Sequence, residues 1–486
     1  MGRGEEIMAA EIIMSLARKI AHNTLWQVTG KVISTLVGLA TVALMTRYLG
    51  QKGFGFYTTI VAYLQFFGVL IDFGLQMATA QLLSRPGADQ SKIFGNLIAV
   101  RLISSVLFLG TGTLLVFLLP YPIIVKIGVA IASASFFFIS LQSVLIGMFQ
   151  KHMAMAEVAI GEVWGRLALL AGIWLSTYLN LGFYPIIIAV SCGSFINFSY
   201  LFIKSKKYLA YRPRLDKAVL KEIWDTSWPL AITISLTLVY FRADTIILSF
   251  VRPAEDVGIY GAAYKVLEIL IQFPYLFLGL MLPLLTEFYV INRQLFDKIL
   301  QKSFDFMAII AVPMVFATWM LAEKMMMLIA GPDFAVAGGP LRILIVATAM
   351  IYFGALFGYA IVATGLQKKM IGFYLFDAVF SLVTYLIFIP IYSYWAGATL
   401  TVATEAIIAF SAFYILNKHT GATLKINILA KTILSSLAMC VALWIFMSQS
   451  VLTLILIGLI VYFVTLYLLK GYDRAEIVDI FKLKAK

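Results

Sequence analysis

Apolar runs long enough to cross a bilayer recur along almost the whole chain, and they limit what it can fold into. About 20 helical residues span the hydrocarbon core. The chain holds about fourteen such runs, near residues 24–46, 54–83, 94–119, 122–149, 157–179, 183–203, 226–250, 258–290, 304–330, 341–365, 370–391, 394–416, 427–447 and 451–469. It is 62% hydrophobic and 13% charged, against roughly 45–50% and 25% in soluble domains. The sequence therefore predicts an all-α integral membrane protein with about 14 transmembrane helices.

The segments between these runs are short. Only Lys204–Asp225 is longer than about 15 residues, so no soluble catalytic or nucleotide-binding domain fits between the helices. Cys192 and Cys440 both fall inside apolar runs, which argues against a disulfide framework and against a structural zinc site. We therefore expect no metal and no cofactor, and the sequence contains no P-loop motif for ATP hydrolysis.

The net charge of +13 is concentrated in alternate loops. Most of the 37 basic residues fall on the side of the N-terminus, with the densest run at Lys204–Lys221. Because cytoplasmic loops of membrane proteins carry the excess of Lys and Arg, we expect both termini to lie in the cytoplasm of a cell-membrane protein with an even number of spans. The same placement argues against nucleic acid as a partner.

Two short sequence echoes indicate an internal repeat. Gly53–Gln65 resembles Asp256–Glu268, and Gly147–Met153 resembles Thr364–Met370. Both pairs relate a predicted span to the span six positions later, and an even shift keeps the orientation of the copies the same. The echoes therefore predict a parallel repeat, with an axis along the membrane normal.

The repeat predicts two pseudo-symmetric six-helix lobes followed by two further helices, with a binding cavity between the lobes. The predicted segments are a cytoplasmic N-terminal segment 1–23, an N-lobe 24–203, a basic cytoplasmic linker 204–225, a C-lobe 226–416, C-terminal helices 427–469 and a cytoplasmic tail 470–486.

Basic residues inside the predicted spans are candidates for binding an anion. A charge at the centre of a transmembrane helix costs about 3 kcal/mol or more unless it faces protein or water. Lys31, Arg101 and Arg242 have no acid one turn away on their own helices. Arg166 lies four residues after Glu162, so these two side chains can form a neutral pair on one helix face. A guanidinium can bind a phosphate through two hydrogen bonds.

Acidic residues inside the spans are candidates for coupling transport to an ion. Asp72, Asp244 and Asp377 could each take a proton or a sodium ion if burial favours the neutral or cation-bound form. Glu405 adds a further acid in the twelfth span, whereas Lys265 and Glu268 can neutralise each other.

The N-terminal motifs carry a family resemblance. The segments Asn23–Ser34 (NTLWQVTGKVIS), Thr46–Tyr57 (TRYLGQKGFGFY) and Asp72–Leu75 (DFGL) resemble the start of O-antigen type polysaccharide flippases. These belong to the polysaccharide transport family of the multidrug/oligosaccharidyl-lipid/polysaccharide exporter superfamily. In topology the resemblance covers the whole chain.

The resemblance implies a flippase, not an enzyme. It would move an oligosaccharide linked to a polyprenyl phosphate or pyrophosphate from the cytoplasmic to the outer leaflet by alternating access. Its partners would be the lipid-linked oligosaccharide, membrane lipids, a coupling ion and polysaccharide-assembly enzymes. The substrate-binding role is carried over to four cations, Lys31, Arg101, Arg166 and Arg242. Arg47 and Asp72 belong to the family-like motif, where we favour a structural role.

Four alternatives stay open at this point. A cation-coupled multidrug exporter and a lipid II flippase belong to the same superfamily, although an exporter of organic cations would favour acids over arginines in its cavity. A membrane-embedded glycosyltransferase or polymerase would need an acidic catalytic motif on a sizeable loop, and the sequence shows neither. A scaffold without transport would have no need of charges inside its spans.

Overall fold

A computed structural model describes the backbone of residues 3–85, 87 and 89–471, and all side chains in these ranges except those of residues 3–26, 28, 229–230 and 232–241. The predicted cytoplasmic tail 470–486 therefore lies almost wholly outside the described residues, and so do the side chains of the predicted N-terminal segment 1–23.

The described chain is all-α, as the sequence predicts. Its elements are α1 (Arg3–Asp72), α2 (Leu75–Leu83), α3 (Gln90–Leu118), α4 (Ile123–Lys151), α5 (Met155–Tyr178), α6 (Phe183–Ser205), α7 (Lys217–Val251), α8 (Ala254–Leu270), α9 (Gln272–Ile291), α10 (Arg293–Ala330), a 3₁₀ helix (Pro332–Ala337), α11 (Gly338–Ala363), α12 (Gln367–Thr420), α13 (Asn427–Ile445) and α14 (Val451–Leu468).

Eleven candidate membrane spans lie within the described residues. Two of these, Thr29–Leu83 and Gln367–Thr420, are far longer than the roughly 20 residues that cross a bilayer. Each contains a residue with non-helical dihedral angles, Gly50 (φ 62°) in the first and Ser393 (φ 53°) in the second. Much of α7 is left without described side chains. The eleven spans establish a polytopic membrane fold, and the number 14 stays a prediction.

At two further helix breaks, a backbone carbonyl lacks its usual N–H partner within the helix. Between α1 and α2, Phe73 and Gly74 both have positive φ, at 43° and 75°. In the first turn of α9, Pro274 has no N–H to donate to the carbonyl of Leu270, the last residue of α8. The hydroxyl of Tyr352 donates to that carbonyl at 3.0 Å and satisfies it.

The chain forms two compact units, Met1–Gly258 and Ile259–Lys486. The first has apolar cores centred on Phe94, Phe149 and Leu201 and on Ile60, Leu64 and Val129. The second has its main core around Phe296, Met307 and Leu356, with α13 and α14 packed on α10. The lobe boundaries expected from the sequence stay a prediction.

The glycines of the first sequence echo meet backbone to backbone. A Cβ at Gly55 would lie only 1.7 Å from the carbonyl oxygen of Ala254, and a Cβ at Gly258 would lie 2.0 Å from the carbonyl oxygen of Gln51. Gly55 and Gly258 are equivalent positions of the echo, and so are Gln51 and Ala254. The contact is thus reciprocal between equivalent positions of the echo.

The basic linker packs against the start of α3. The Ser91 hydroxyl donates to the carbonyl of Ala210 at 2.6 Å, and the Asn96 side-chain oxygen accepts from the N–H of Asp216 at 2.6 Å. A Cβ at Gly95 would lie 2.3 Å from the carbonyl oxygen of Arg212, so only glycine allows this approach. The linker is therefore a packed strap on the first unit.

Candidate functional site

Near Lys31, helix α1 packs against α5. Gly30 of α1 approaches Ala159 of α5 so closely that a Cβ at position 30 would lie 2.6 Å from the Ala159 Cβ. One residue further along, Lys31 Nζ lies 3.2 Å from Glu162 Oε1, with 35% of the lysine side chain exposed. The small residue permits the close helix contact, and the ion pair bridges it. Glu162 therefore pairs across helices with Lys31.

Arg166 lies at the midpoint of α5 and is exposed. Its Nη1 atom lies over the backbone of α1, 3.8 Å from where a Cβ would stand at Gly38. Within the described part of the chain its guanidinium forms no ion pair and no hydrogen bond. Because an arginine at the middle of a span is too costly to leave in lipid, this side chain is suited to face water or an anion.

Arg101 is enclosed in the protein. Its side chain is 1% exposed. Nη1 donates to the carbonyl oxygen of Ile71 at 2.8 Å, and Nη2 donates to Asp72 Oδ1 at 2.6 Å and to Ser143 Oγ at 2.7 Å. In an unbroken helix the Ile71 carbonyl would accept from the N–H of residue 75, so the guanidinium replaces a bond that the break at Phe73 and Gly74 removes.

The structure thus brings together two residues that the sequence placed in different roles, Arg101 for substrate and Asp72 for ion coupling. The DFGL segment that contains Asp72 is the helix break itself. Sequence reasoning missed this pair because the partners lie on different helices. The available signal was that a glycine in the motif could break the helix and leave carbonyls in need of a donor. In this conformation the Arg101 guanidinium is used within the protein, and its role toward substrate stays a prediction.

The last two site residues predicted from the sequence, Arg242 and Asp244, lie in the second half of α7. Asp244 is 1% exposed and accepts a hydrogen bond from the backbone N–H of Thr245 at 2.5 Å. Arg242 is half-buried. Both side chains take part in further interactions, so neither is an isolated charge.

Two carboxylates lie buried in the second unit. Asp377 is completely buried and Glu405 is 7% exposed, both on α12. Their charges lie close enough to interact, and the hydroxyl groups of Tyr275 and Tyr374 lie within electrostatic reach of Glu405. Sequence reasoning named Asp377 as a coupling candidate and noted Glu405 only as an additional acid. The separate runs 370–391 and 394–416 predict the turn at Ser393, but the sequence did not show that Asp377 and Glu405 interact.

Neither oxygen of Asp377 accepts a hydrogen bond from any described residue. The nearby hydroxyls are used on their own helix. Ser381 donates to the carbonyl of Ala378 at 3.0 Å, and Thr404 donates to that of Thr401 at 3.0 Å. A buried carboxylate without donors is expensive in its bare ionised form. A proton or a monovalent cation on these carboxylates would lower that cost. Among the described residues no group of three or more His, Cys, Asp and Glu side chains could hold a metal ion.

A sequence family described as "Polysaccharide biosynthesis protein" matches residues 20–289, more than half of the chain. The chain belongs to this family. No curated protein sequence matches it.

Solved structures give the same assignment at the level of the fold. The chain is similar to "Lipid II flippase MurJ, inward closed conformation", with a TM-score of 0.77 at 16% identity over 91% of this chain and 98% of that one. It is also similar to a MATE family multidrug resistance transporter of the MOP superfamily. The TM-score is 0.64 for the inward-facing form, at 14% identity over 82% of this chain and 98% of that one. It is 0.55 for the outward-facing form, at 15% identity over 83% and 96%.

This member of the polysaccharide biosynthesis family therefore shares its all-α fold with the flippase MurJ and with MATE transporters. The resemblance drawn from the N-terminal motifs is confirmed, and so is the all-α membrane fold.

Proposed function

We propose that this family member is a flippase that moves a lipid-linked oligosaccharide from the cytoplasmic to the outer leaflet by alternating access. The family match over residues 20–289 carries the proposal, because it joins polysaccharide assembly to a fold found in a lipid flippase and in drug transporters. The inward- and outward-facing forms of those transporters support alternating access as the mechanism.

Arg166 is the cation best placed to meet the phosphate of the carrier lipid. It is exposed at the middle of α5 and has no charge partner among the described residues, and its guanidinium can donate two parallel hydrogen bonds to a phosphate. Lys31, one third exposed beside Glu162, contributes a second positive charge on the same pair of helices. Arg101 would act indirectly, by holding the broken helix. Arg242 remains a proposed substrate-binding residue because it lies inside the predicted span that forms part of α7.

Asp377 with Glu405 is the proposed site of ion coupling. Of the three acids put forward from the sequence, Asp72 is bonded to Arg101 and Asp244 to Thr245, whereas Asp377 is buried without a donor among the described residues. Binding of one proton or one sodium ion between the two carboxylates would remove most of their repulsion. An ion gradient could then favour one conformation over another.

Complementation tests the proposal against its alternatives. Expression in a bacterial strain that lacks its lipid-linked oligosaccharide flippase should restore surface polysaccharide, and Arg166→Ala should not. Ethidium accumulation in the same cells tests drug export. The sugar composition of the lipid-linked oligosaccharides tests the enzyme alternatives. It should stay unchanged, whereas a glycosyltransferase or polymerase would alter it. Restored drug resistance without restored polysaccharide would contradict the flippase proposal and favour a drug exporter.

A further inference from the structure

An apolar pocket of about 460 Å³ lies in the first unit, where the linker crosses α3, α4 and α6. Its walls are formed by aliphatic and aromatic side chains, among them Leu102, Leu145 and Phe198, and its volume falls within the roughly 300–1,000 Å³ of small-ligand sites. The lining includes none of the residues proposed above for substrate or ion, so the pocket is separate from the transport site.

The linker covers this pocket in a fixed position. Residues Leu209, Ala210, Tyr211 and Pro213 form part of the lining. The bonds from Ser91 to the Ala210 carbonyl and from the Arg214 N–H to the Gly95 carbonyl, at 2.6 Å and 3.3 Å, hold this segment on α3. These bonds hold the linker wall of the pocket in place.

The one charged residue of the lining is a cation. Lys206 is exposed, and its Nζ lies 4.9 Å above the centre of the Phe202 ring, which keeps the ammonium group beside the apolar walls. No acid lines the pocket. Burial raises the pKa of the Tyr211 phenol, so this group stays neutral and adds no negative charge at neutral pH. The positive-inside rule places this linker on the cytoplasmic side.

Apolar walls with a cation at the rim match a ligand that has a hydrocarbon chain and an anionic head. We propose that the pocket binds an acyl chain of an anionic glycerophospholipid from the cytoplasmic leaflet, with the lipid phosphate at Lys206. Charge complementarity selects this occupant, because a zwitterionic lipid would bring its own ammonium group to the same rim. Bound lipid would hold the linker against α3, α4 and α6.

Native mass spectrometry of the purified full-length protein tests the site, with dioleoyl phosphatidylglycerol as the probe and dioleoyl phosphatidylcholine as the comparison. The phosphatidylglycerol should bind more tightly to the unaltered protein. Lys206→Glu should weaken its binding about tenfold, since each basic residue near an anionic lipid contributes appreciably to attraction. Lys207→Glu is the matched control, because this lysine is also exposed but does not line the pocket. It should change the affinity less than about twofold.

The position of the lipid's acyl chain in the pocket is tested separately. Dihexanoyl phosphatidylglycerol, which has the same head but short chains, should bind more weakly than the dioleoyl lipid. Ala210→Trp should displace the dioleoyl lipid by filling the pocket from the linker, and Leu145→Trp should do so from the wall. Circular dichroism and gel filtration show which of the two variants folds, and Lys206→Glu tests the site whether or not they do. Equal losses in Lys206→Glu and Lys207→Glu, equal binding of both dioleoyl lipids, or full binding by a folded tryptophan variant would overturn the proposal.

Discussion

The guanidinium of Arg101 on α3 lies 2.6 Å from the carboxylate of Asp72, the last residue of α1. The same guanidinium donates to the carbonyl of Ile71 beside the helix break. Asp72 is 25% exposed, whereas Arg101 is 1% exposed. A residue that resembles a substrate-binding cation in the sequence therefore serves in this conformation to satisfy a broken helix.

Truncating this arginine should cost stability as well as transport. Arg101→Ala leaves the Ile71 carbonyl and the Asp72 carboxylate without their donor, and breaking a buried ion pair costs about 3–5 kcal/mol. We expect the lower part of that range, because Asp72 is partly exposed. Thermal unfolding in detergent measures the loss.

The ion pair of Arg101 with Asp72, which holds the broken helix, is called the latch here. A double-mutant cycle with Asp72→Asn separates this structural role of Arg101 from a direct role in substrate binding. If the two residues act as one unit, the effects of Arg101→Ala and Asp72→Asn on transport and on stability will be far from additive. Additive effects, with stability unchanged by Arg101→Ala, would contradict the latch and favour direct contact of Arg101 with substrate.

The contact between Gly55 and Gly258 predicts matching defects at the two positions. A methyl group at either site would collide with a backbone carbonyl, at Ala254 or at Gln51. Overpacking of this kind costs about 1–3 kcal/mol or more, so Gly55→Ala and Gly258→Ala should each lower the unfolding temperature in detergent. Gly279→Ala is the control, because nothing lies within 4 Å of its Cβ position. Unchanged stability in both test variants would show that the two helices can separate without cost.

The sequence was sufficient for the membrane class, the all-α fold and the family, because apolar runs and local glycine motifs are features of one segment at a time. The Gly55–Gly258 contact follows the predicted echo residue by residue. The pairing of charges was not predictable in the same way. Lys31 meets Glu162 and Arg101 meets Asp72 across helices, and a one-turn rule applied within a single helix cannot find such partners. The Asp377–Glu405 pair depends on the fold of α12 around Ser393, where a non-glycine residue adopts a positive φ.

Docking of the linker should depend on pH through Asp216. This carboxylate accepts from Lys92 Nζ at 2.7 Å and from the N–H groups of Ala218 and Val219 at the start of α7. The hydrogen bond from Lys92, followed by those from the backbone, lowers the pKa of Asp216 in the folded protein. Asp216 therefore contributes its full stabilisation of the folded protein above the pKa of an aspartate in the unfolded chain, about 3.9. This stabilisation disappears as the pH falls through the lower pKa of the folded protein.

Unfolding temperatures from pH 7 to pH 3 measure this dependence. The difference between the unaltered protein and Asp216→Asn should be constant near neutrality and shrink in acid. Asp225→Asn, at an exposed acid on the same helix, should show no such trend. If the difference in unfolding temperature between Asp216→Asn and the unaltered protein stays constant down to pH 3, Asp216 is not the source of the pH dependence.

Neutral substitutions at the two buried carboxylates should remove the dependence of flipping on an ion gradient. Asp377→Asn and Glu405→Gln should each fold, because both replace a costly buried acid by a neutral group of the same shape. Both should make flipping insensitive to an imposed proton or sodium gradient. Glu287→Gln, at an exposed acid on α9, should leave the gradient dependence intact. If gradient-driven transport persists in both buried variants, coupling lies elsewhere.

Arg166 predicts a graded loss of transport. Arg166→Ala removes the cation and should reduce flipping at least about tenfold, the effect of losing one charge-assisted hydrogen bond of roughly 1.5–3 kcal/mol. Arg166→Lys keeps the charge but not the two-pronged geometry and should retain intermediate activity. Lys126→Ala removes a half-buried cation near the beginning of α4 that is not in the proposed substrate set, and it serves as the control. Full activity of Arg166→Ala would exclude Arg166 as the phosphate contact.

Flipping in liposomes tests the central claim most directly. The purified protein is reconstituted with a polyprenyl pyrophosphate oligosaccharide, and the fraction of sugar that a membrane-impermeant oxidising enzyme can reach is followed over time. The account predicts that the protein makes the inner-leaflet pool accessible and that Arg166→Ala does so at least about tenfold more slowly. An inner-leaflet pool that stays protected from the reagent, in vesicles whose protein is folded and correctly inserted, would contradict it.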